Sequence, residues 1–127
     1  MEKEFIPYEQ ALALKELGFD EPCFGYFEPN KKFKYLNWET FKDFPYLAKN
    51  SEWQDLYGAP TFSQAFRWFR DKCGLELLIA KDDIGQYYFS VKKSEALFDE
   101  DDYCFKTYEE AELECLNKLI EIVKNKK

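Results

Sequence analysis

Residues 59–74, APTFSQAFRWFRDKCG, contain their own start, stop and buried face, and the rest of the chain is read outward from them. Thr61 followed three residues later by Gln64 is a capping box, in which each side chain satisfies a backbone N–H left open at the first helical turn. Gly74 supplies the stop, because it accepts the left-handed conformation that closes a helix. Between them Phe62, Ala65, Phe66, Phe69 and Cys73 recur at i, i+3, i+4, i+7 and i+11, which is one apolar stripe of a helix. Trp68 lies about 120° away from that stripe. It must therefore cover a second surface, either beneath residues 39–57 of this chain or on a partner. Its neighbours Arg67 and Arg70 make the partner reading concrete, since Trp and Arg are the residues most enriched at interaction hot spots.

Upstream, residues 7–17 form an amphipathic helix opened by Pro7 and closed by Gly18 and Phe19. Residues 23–28 and 32–38 are aromatic-rich and flank the turn formers of EPNK, which predicts a β-hairpin. Residues 39–57 show no sustained period and are expected to be irregular, with a short helix possible from Ser51 and Gln54. Downstream, residues 75–81 and 86–93 flank the turn DDIG and form a second hairpin, with Leu75, Leu77 and Ile79 on the face of Tyr87, Phe89 and Val91. A last helix opens at a second capping box, Thr107 with Glu110, and buries Tyr108, Ala111, Cys115, Leu116, Leu119, Ile122 and Val123. The expected fold is α+β in the order α-β-β-α-β-β-α, with the two hairpins joined in one antiparallel sheet against three helices, in a single domain over 1–127. The repeated helix-then-hairpin order hints at duplication, although no residue-level repeat supports it.

Charge and composition restrict function. The 127 residues hold 18 basic and 25 acidic side chains, for a net charge of −7, which disfavours direct nucleic-acid binding and anionic membranes and favours a cationic partner. No apolar run approaches the roughly 20 residues of a membrane span, and the charged N-terminus does not read as a signal peptide, so a cytoplasmic location is expected. Cysteines 23, 73, 104 and 115 lack the paired spacing of a zinc site and read as reduced, packed thiols. The chain has no histidine, which removes the usual general base near neutral pH, and it has no phosphate-loop, dinucleotide or nucleophile-elbow motif. A non-enzymatic protein without cofactor or metal follows as the expectation.

Two acidic features remain. Asp99, Glu100, Asp101 and Asp102 form a run that reads as a solvated loop or as a negative patch for a basic groove. Glu112 projects near the middle of the last helix's apolar face and is the candidate buried carboxylate, structural or proton-active.

Three blocks, EFIPYEQALALKELGFDEPCFGYF, APTFSQAFRWFRDKCGL and TYEEAELECLNKLIEIVKNK, together resemble a family of small uncharacterised proteins carried by phages and prophages of Bacteroidota. The resemblance implies no activity and no catalytic residues. It does imply a setting, in which small acidic proteins act by binding host machinery, inhibitors of CRISPR and other defence systems among them. The function expected is therefore a binding protein that modulates a host protein or nucleoprotein complex. The alternative is a small-ligand or nucleotide binder with an aromatic pocket between sheet and central helix.

Overall fold

Pro7 takes an extended conformation (ψ 169°) as the N-cap of helix α1, Tyr8–Glu16, so it stands just before the helix rather than in its opening turn. The other end closes as a Schellman motif: the Gly18 N–H donates to the Lys15 carbonyl at 3.1 Å and the Phe19 N–H to the Leu14 carbonyl at 2.9 Å, with Gly18 at φ 97°. Phe19, 1% exposed, is the apolar residue that accompanies this stop. The computed structural model describes residues 4–35, 56–93, 96–100 and 104–125. The short helix expected from Ser51 lies outside them.

The chain divides into two compact units, Met1–Gln64 and Ala65–Lys127. The first contains α1 and an antiparallel sheet of β1 (Gly25–Phe27), β2 (Phe33–Tyr35) and β3 (Tyr57–Ala59), in the order β2-β1-β3. The register sets Phe33, Phe27 and Tyr57 abreast, and in the next row aligned on that face Gly25 stands between Tyr35 and Ala59. Phe5 uses the space left by that row: a Cβ on Gly25 would lie 2.7 Å from Cδ1 of the Phe5 ring and 3.0 Å from the Ala59 carbonyl oxygen. The Phe5 backbone is bridged to Thr61, and the Ile6 N–H donates to the Pro60 carbonyl at 3.0 Å. Thus the segment before α1 is tied to the segment before the next helix.

That helix, α2 (Phe62–Cys73), has the start and stop expected of it, with one difference. The Gln64 N–H donates to the Thr61 hydroxyl at 3.2 Å, but the Gln64 side chain, instead of returning to Thr61, donates to the Pro22 carbonyl at 2.9 Å. Half of the capping box has become a tether to the turn after α1. Gly74, at φ 69°, donates to the Arg70 carbonyl and ends the helix.

The second unit contains β4 (Leu75–Lys81), β5 (Tyr87–Lys93), β6 (Ala96–Glu100) and α3 (Tyr108–Asn125). The strand order is β4-β5-β6, all antiparallel, with a register shift between Val91 and Lys92. Leu77 faces Val91 and Ile79 faces Phe89, as expected, and α3 packs on β5 and β4 with Ala111, Cys115, Leu116, Leu119, Ile120 and Ile122 buried. Two members of the expected face differ: Tyr108 is 43% exposed and Val123 is half-buried, while Ile120 is buried.

The class is α+β and the helix and hairpin order is as read, but the hairpins do not share a sheet. Each recruits a third strand, Tyr57–Ala59 or Ala96–Glu100, and forms a sheet of its own. The first of these begins at Tyr57, the last residue of the segment expected to be irregular. The strand orders also differ, since the first strand is central in one sheet and the second strand in the other, which argues against duplication.

Because Gly25 lies against both an aromatic ring and a backbone oxygen, Gly25→Ala overpacks the sheet. A loss of about 1–3 kcal/mol is expected in urea unfolding. A loss below ~0.5 kcal/mol would show that Phe5 does not sit over β1.

Candidate functional site

The residues singled out on α2 do not assemble at the surface. Trp68 is 7% exposed and its ring meets Phe69 edge-on at 5.0 Å between centroids, whereas Arg67 and Arg70 are exposed. The helix buries Phe62, Ala65, Trp68 and Phe69 and leaves Phe66 and Cys73 half-buried, so its covered face is rotated from the phenylalanine stripe toward the tryptophan. The indole is already covered, so Trp68 does not form an exposed patch with Arg67 and Arg70. Arg70 lies 3.9 Å from its neighbour Asp71, a solvent-screened pair of little energetic weight.

The acidic run is also placed differently. Asp99 and Glu100 belong to β6, opposite Val91 and Ser90, rather than to a solvated loop, and Asp101 and Asp102 lie outside the described residues. Glu112 is half-buried rather than buried. Its side chain leaves the second turn of α3 obliquely enough to reach water, yet partial desolvation, with the Glu109 carboxylate adding to it, raises its pKa above the ordinary carboxylate value.

An acidic, apolar corner at the turn end of β4 and β5 takes the place of these sites. Asp82 organises the turn: one carboxylate oxygen accepts from the Ile84 N–H at 3.0 Å and the Gln86 N–H at 2.8 Å, while the Asp82 N–H donates to the Gln86 carbonyl at 2.7 Å. Gly85 completes it at φ 88°. This is a three-residue loop, a tight turn followed by a left-handed residue. It presents Ile84, 79% exposed, beside the exposed Asp83.

The segment before α3 is bonded to the same end. Tyr87 and Phe105 exchange two backbone hydrogen bonds of 2.8 Å, Phe105 stacks on Phe89, and Tyr108 meets the Tyr87 ring edge-on at 5.8 Å. The Cys104 thiol lies 3.8 Å from the second Asp82 carboxylate oxygen. Glu109 and Glu110, both exposed, follow Tyr108, and the Thr107 hydroxyl caps this turn by accepting from the Glu110 N–H at 3.1 Å. Burial first, then the charges of Glu112, Cys115 and Glu109, push the Tyr108 phenol above its ordinary pKa. The corner thus combines two exposed side chains, Ile84 and Tyr108, a fixed backbone and an acidic majority, with the Lys81 ammonium 5.8 Å from the centroid of the Tyr87 ring and Lys106 exposed beside Phe105. The sequence signal for it was the DDIG turn itself, whose isoleucine has no inward role in a two-strand pairing.

Among the described residues no group of His, Cys, Asp and Glu is arranged to hold a metal ion, and no helix is long and apolar enough to cross a membrane. Of the four cysteines, Cys23 and Cys115 are buried, Cys73 is half-buried and Cys104 is exposed. No protein-family model matches the chain, and no curated protein or solved structure does either.

Two predictions follow from this chemistry. An acid whose folded-state pKa lies above its unfolded value costs stability when charged, fully so above the folded pKa and not at all below the unfolded one, about 4.3. Glu112→Gln is therefore expected to raise the melting temperature at pH 7, with the gain fading to nothing as the pH falls to about 4. A gain that persists at pH 3 would show a packing effect instead. In thiol labelling of the folded protein, Cys104 is expected to react first. Cys23, whose thiol burial pushes up to about 12 with Glu21 adding to it, reacts only on unfolding. Early mass-spectrometric labelling at Cys23 would contradict its placement.

Proposed function

We propose that the chain is a non-enzymatic binding protein of phage type, acting in the bacterial cytoplasm, that docks the corner around Ile84 and Tyr108 onto a cationic surface of a host protein or nucleoprotein complex. Defence systems such as CRISPR are the class of target. The observation that carries this reading is the Asp82-organised turn, which holds Ile84 79% exposed directly after Asp82 and Asp83. A loop already fixed in one conformation loses little entropy on docking, so an exposed aliphatic side chain there contributes more to affinity than the same residue on a mobile loop.

The net charge of −7 supports the sign of the partner. Asp83, Glu109 and Glu110 at this corner would speed encounter with a basic groove, and that contribution weakens as salt screens it. A basic groove that ordinarily holds nucleic acid meets this description, since an acidic surface can occupy it without being nucleic acid.

The test compares wild-type protein with Ile84→Asp, which alters the corner without touching the core, and with the double charge reversal Asp83→Lys, Glu109→Lys. Expressed in a host with an active defence system, the wild type is expected to blunt that defence and recover a partner in pull-down. Ile84→Asp is expected to weaken binding roughly tenfold or more, and the charge reversal to slow association and flatten its salt dependence. Recovery of no partner, together with unchanged defence, would sink the reading.

A further inference from the structure

A second patch, in the first unit, differs in charge from the acidic corner. α1 sets Tyr8 and Lys15 seven residues apart, two turns along one face, and packs against β3, which supplies Tyr57. The two tyrosine rings meet edge-on at 5.6 Å between centroids. The Lys15 ammonium lies 4.8 Å from the centroid of the Tyr57 ring and donates to the Leu56 carbonyl at 2.8 Å. The turn between β1 and β2 brings the Lys31 ammonium to 5.4 Å from the centroid of the Tyr8 ring. Both tyrosines and Lys15 are half-buried, and Lys31 is exposed. In an acidic chain, two ammonium groups are thus gathered on one pair of half-buried rings.

The backbone at Lys31 adds a second observation. Lys31 is the only non-glycine with positive φ among the described residues, at 69°. Its turn has the same hydrogen-bonding pattern as the one at residues 82–86: the Glu28 N–H donates to the Lys32 carbonyl at 3.0 Å and the Lys31 N–H to the Glu28 carbonyl at 2.8 Å. Glycine stands at the equivalent point of the other turn, and glycine or asparagine adopts this conformation at lower cost. A lysine retained there keeps a cation over Tyr8 at the expense of local strain.

We propose that this patch binds a nucleoside phosphate, with the base stacked on one of the two perpendicular rings of Tyr8 and Tyr57 and edge-on to the other, and the phosphates on the ammonium groups of Lys15 and Lys31. The chemistry is that of single-nucleotide recognition, an aromatic surface for a base and charge-assisted donors for its phosphate. A free nucleotide is the occupant rather than a nucleic-acid chain, because the net charge of −7 repels an extended phosphate backbone while two local cations suffice for a mononucleotide. The site goes beyond partner docking and stands or falls separately from it, since none of its residues belongs to the acidic corner.

The experiment titrates the full chain with ATP, GTP, UTP, their monophosphates and inorganic pyrophosphate, by calorimetry and thermal shift. At least one nucleotide is expected to raise the melting temperature with concentration, and to bind more tightly than pyrophosphate. Lys31→Asn keeps a residue suited to positive φ while removing the ammonium, so it is expected to fold at least as well as the wild type. It should weaken nucleotide binding roughly tenfold or more, as should Lys15→Met where that variant folds. Absence of a shift at millimolar nucleotide, undiminished binding by Lys31→Asn, or pyrophosphate binding as tightly as the nucleotide would each overturn the assignment.

Discussion

The Phe5 ring lying over Gly25 is the contact on which the first unit depends. Each of the three strands has three residues, too short to be stable on hydrogen bonds alone, so the sheet persists only with a buried face. Gly25 and Ala59 keep one row of that face low, Phe5 fills the space, and Phe33 joins Phe5 to Phe27 through ring contacts of 5.2 Å on each side. Tyr8 then packs edge-on against both Phe27 and Tyr57, which seats α1. The direction of α1 fixes where Lys15 points. The placement of a surface cation is thus a late consequence of a missing Cβ in the central strand.

Local chemistry explains which parts were legible in the sequence. Helix ends could be read because caps and stops act within one turn: Thr61, Thr107, Gly18 and Gly74 all perform the roles their residue types imply. The strands of each hairpin could be read for the same reason, since the turn and its flanks are contiguous. The third strand of each sheet could not. Tyr57–Ala59 is three residues long and contains a glycine, with no period to detect, and its pairing partner β1 lies some thirty positions upstream, at 25–27. Asp99 and Glu100 are poor strand formers that pair because β5 offers them an edge.

The burial of individual side chains was harder to read for a related reason. Helical geometry gives the angle between side chains but not the number of surfaces that cover a helix, so Trp68, off the stripe, was open to either reading and proved to be buried. Glu112 sits near an apolar face by angle, yet the length of its side chain carries the carboxylate partly to water. Exposure of Ile84 depends instead on turn geometry, which the sequence specifies through Asp82 and Gly85. Of the candidate surfaces, the corner is therefore the one whose exposure the sequence specifies most directly.

The two hairpin turns show how similar backbones can be given different chemistry. In both, the residue that opens the loop accepts from the residue three positions on and donates to the residue four positions on, and an Asx side chain accepts from a backbone N–H within the loop. In the turn at 82–86 the left-handed position holds glycine, so the loop is relaxed, and its chemistry comes from Ile84 and the aspartates. In the turn at 28–32 the left-handed position holds lysine, so the loop is strained, and its chemistry is a cation returned to an aromatic ring. Both turns bring an ammonium to a tyrosine ring, Lys31 to Tyr8 and Lys81 to Tyr87, but only the first takes its lysine from the left-handed position, so there the cation comes with backbone strain.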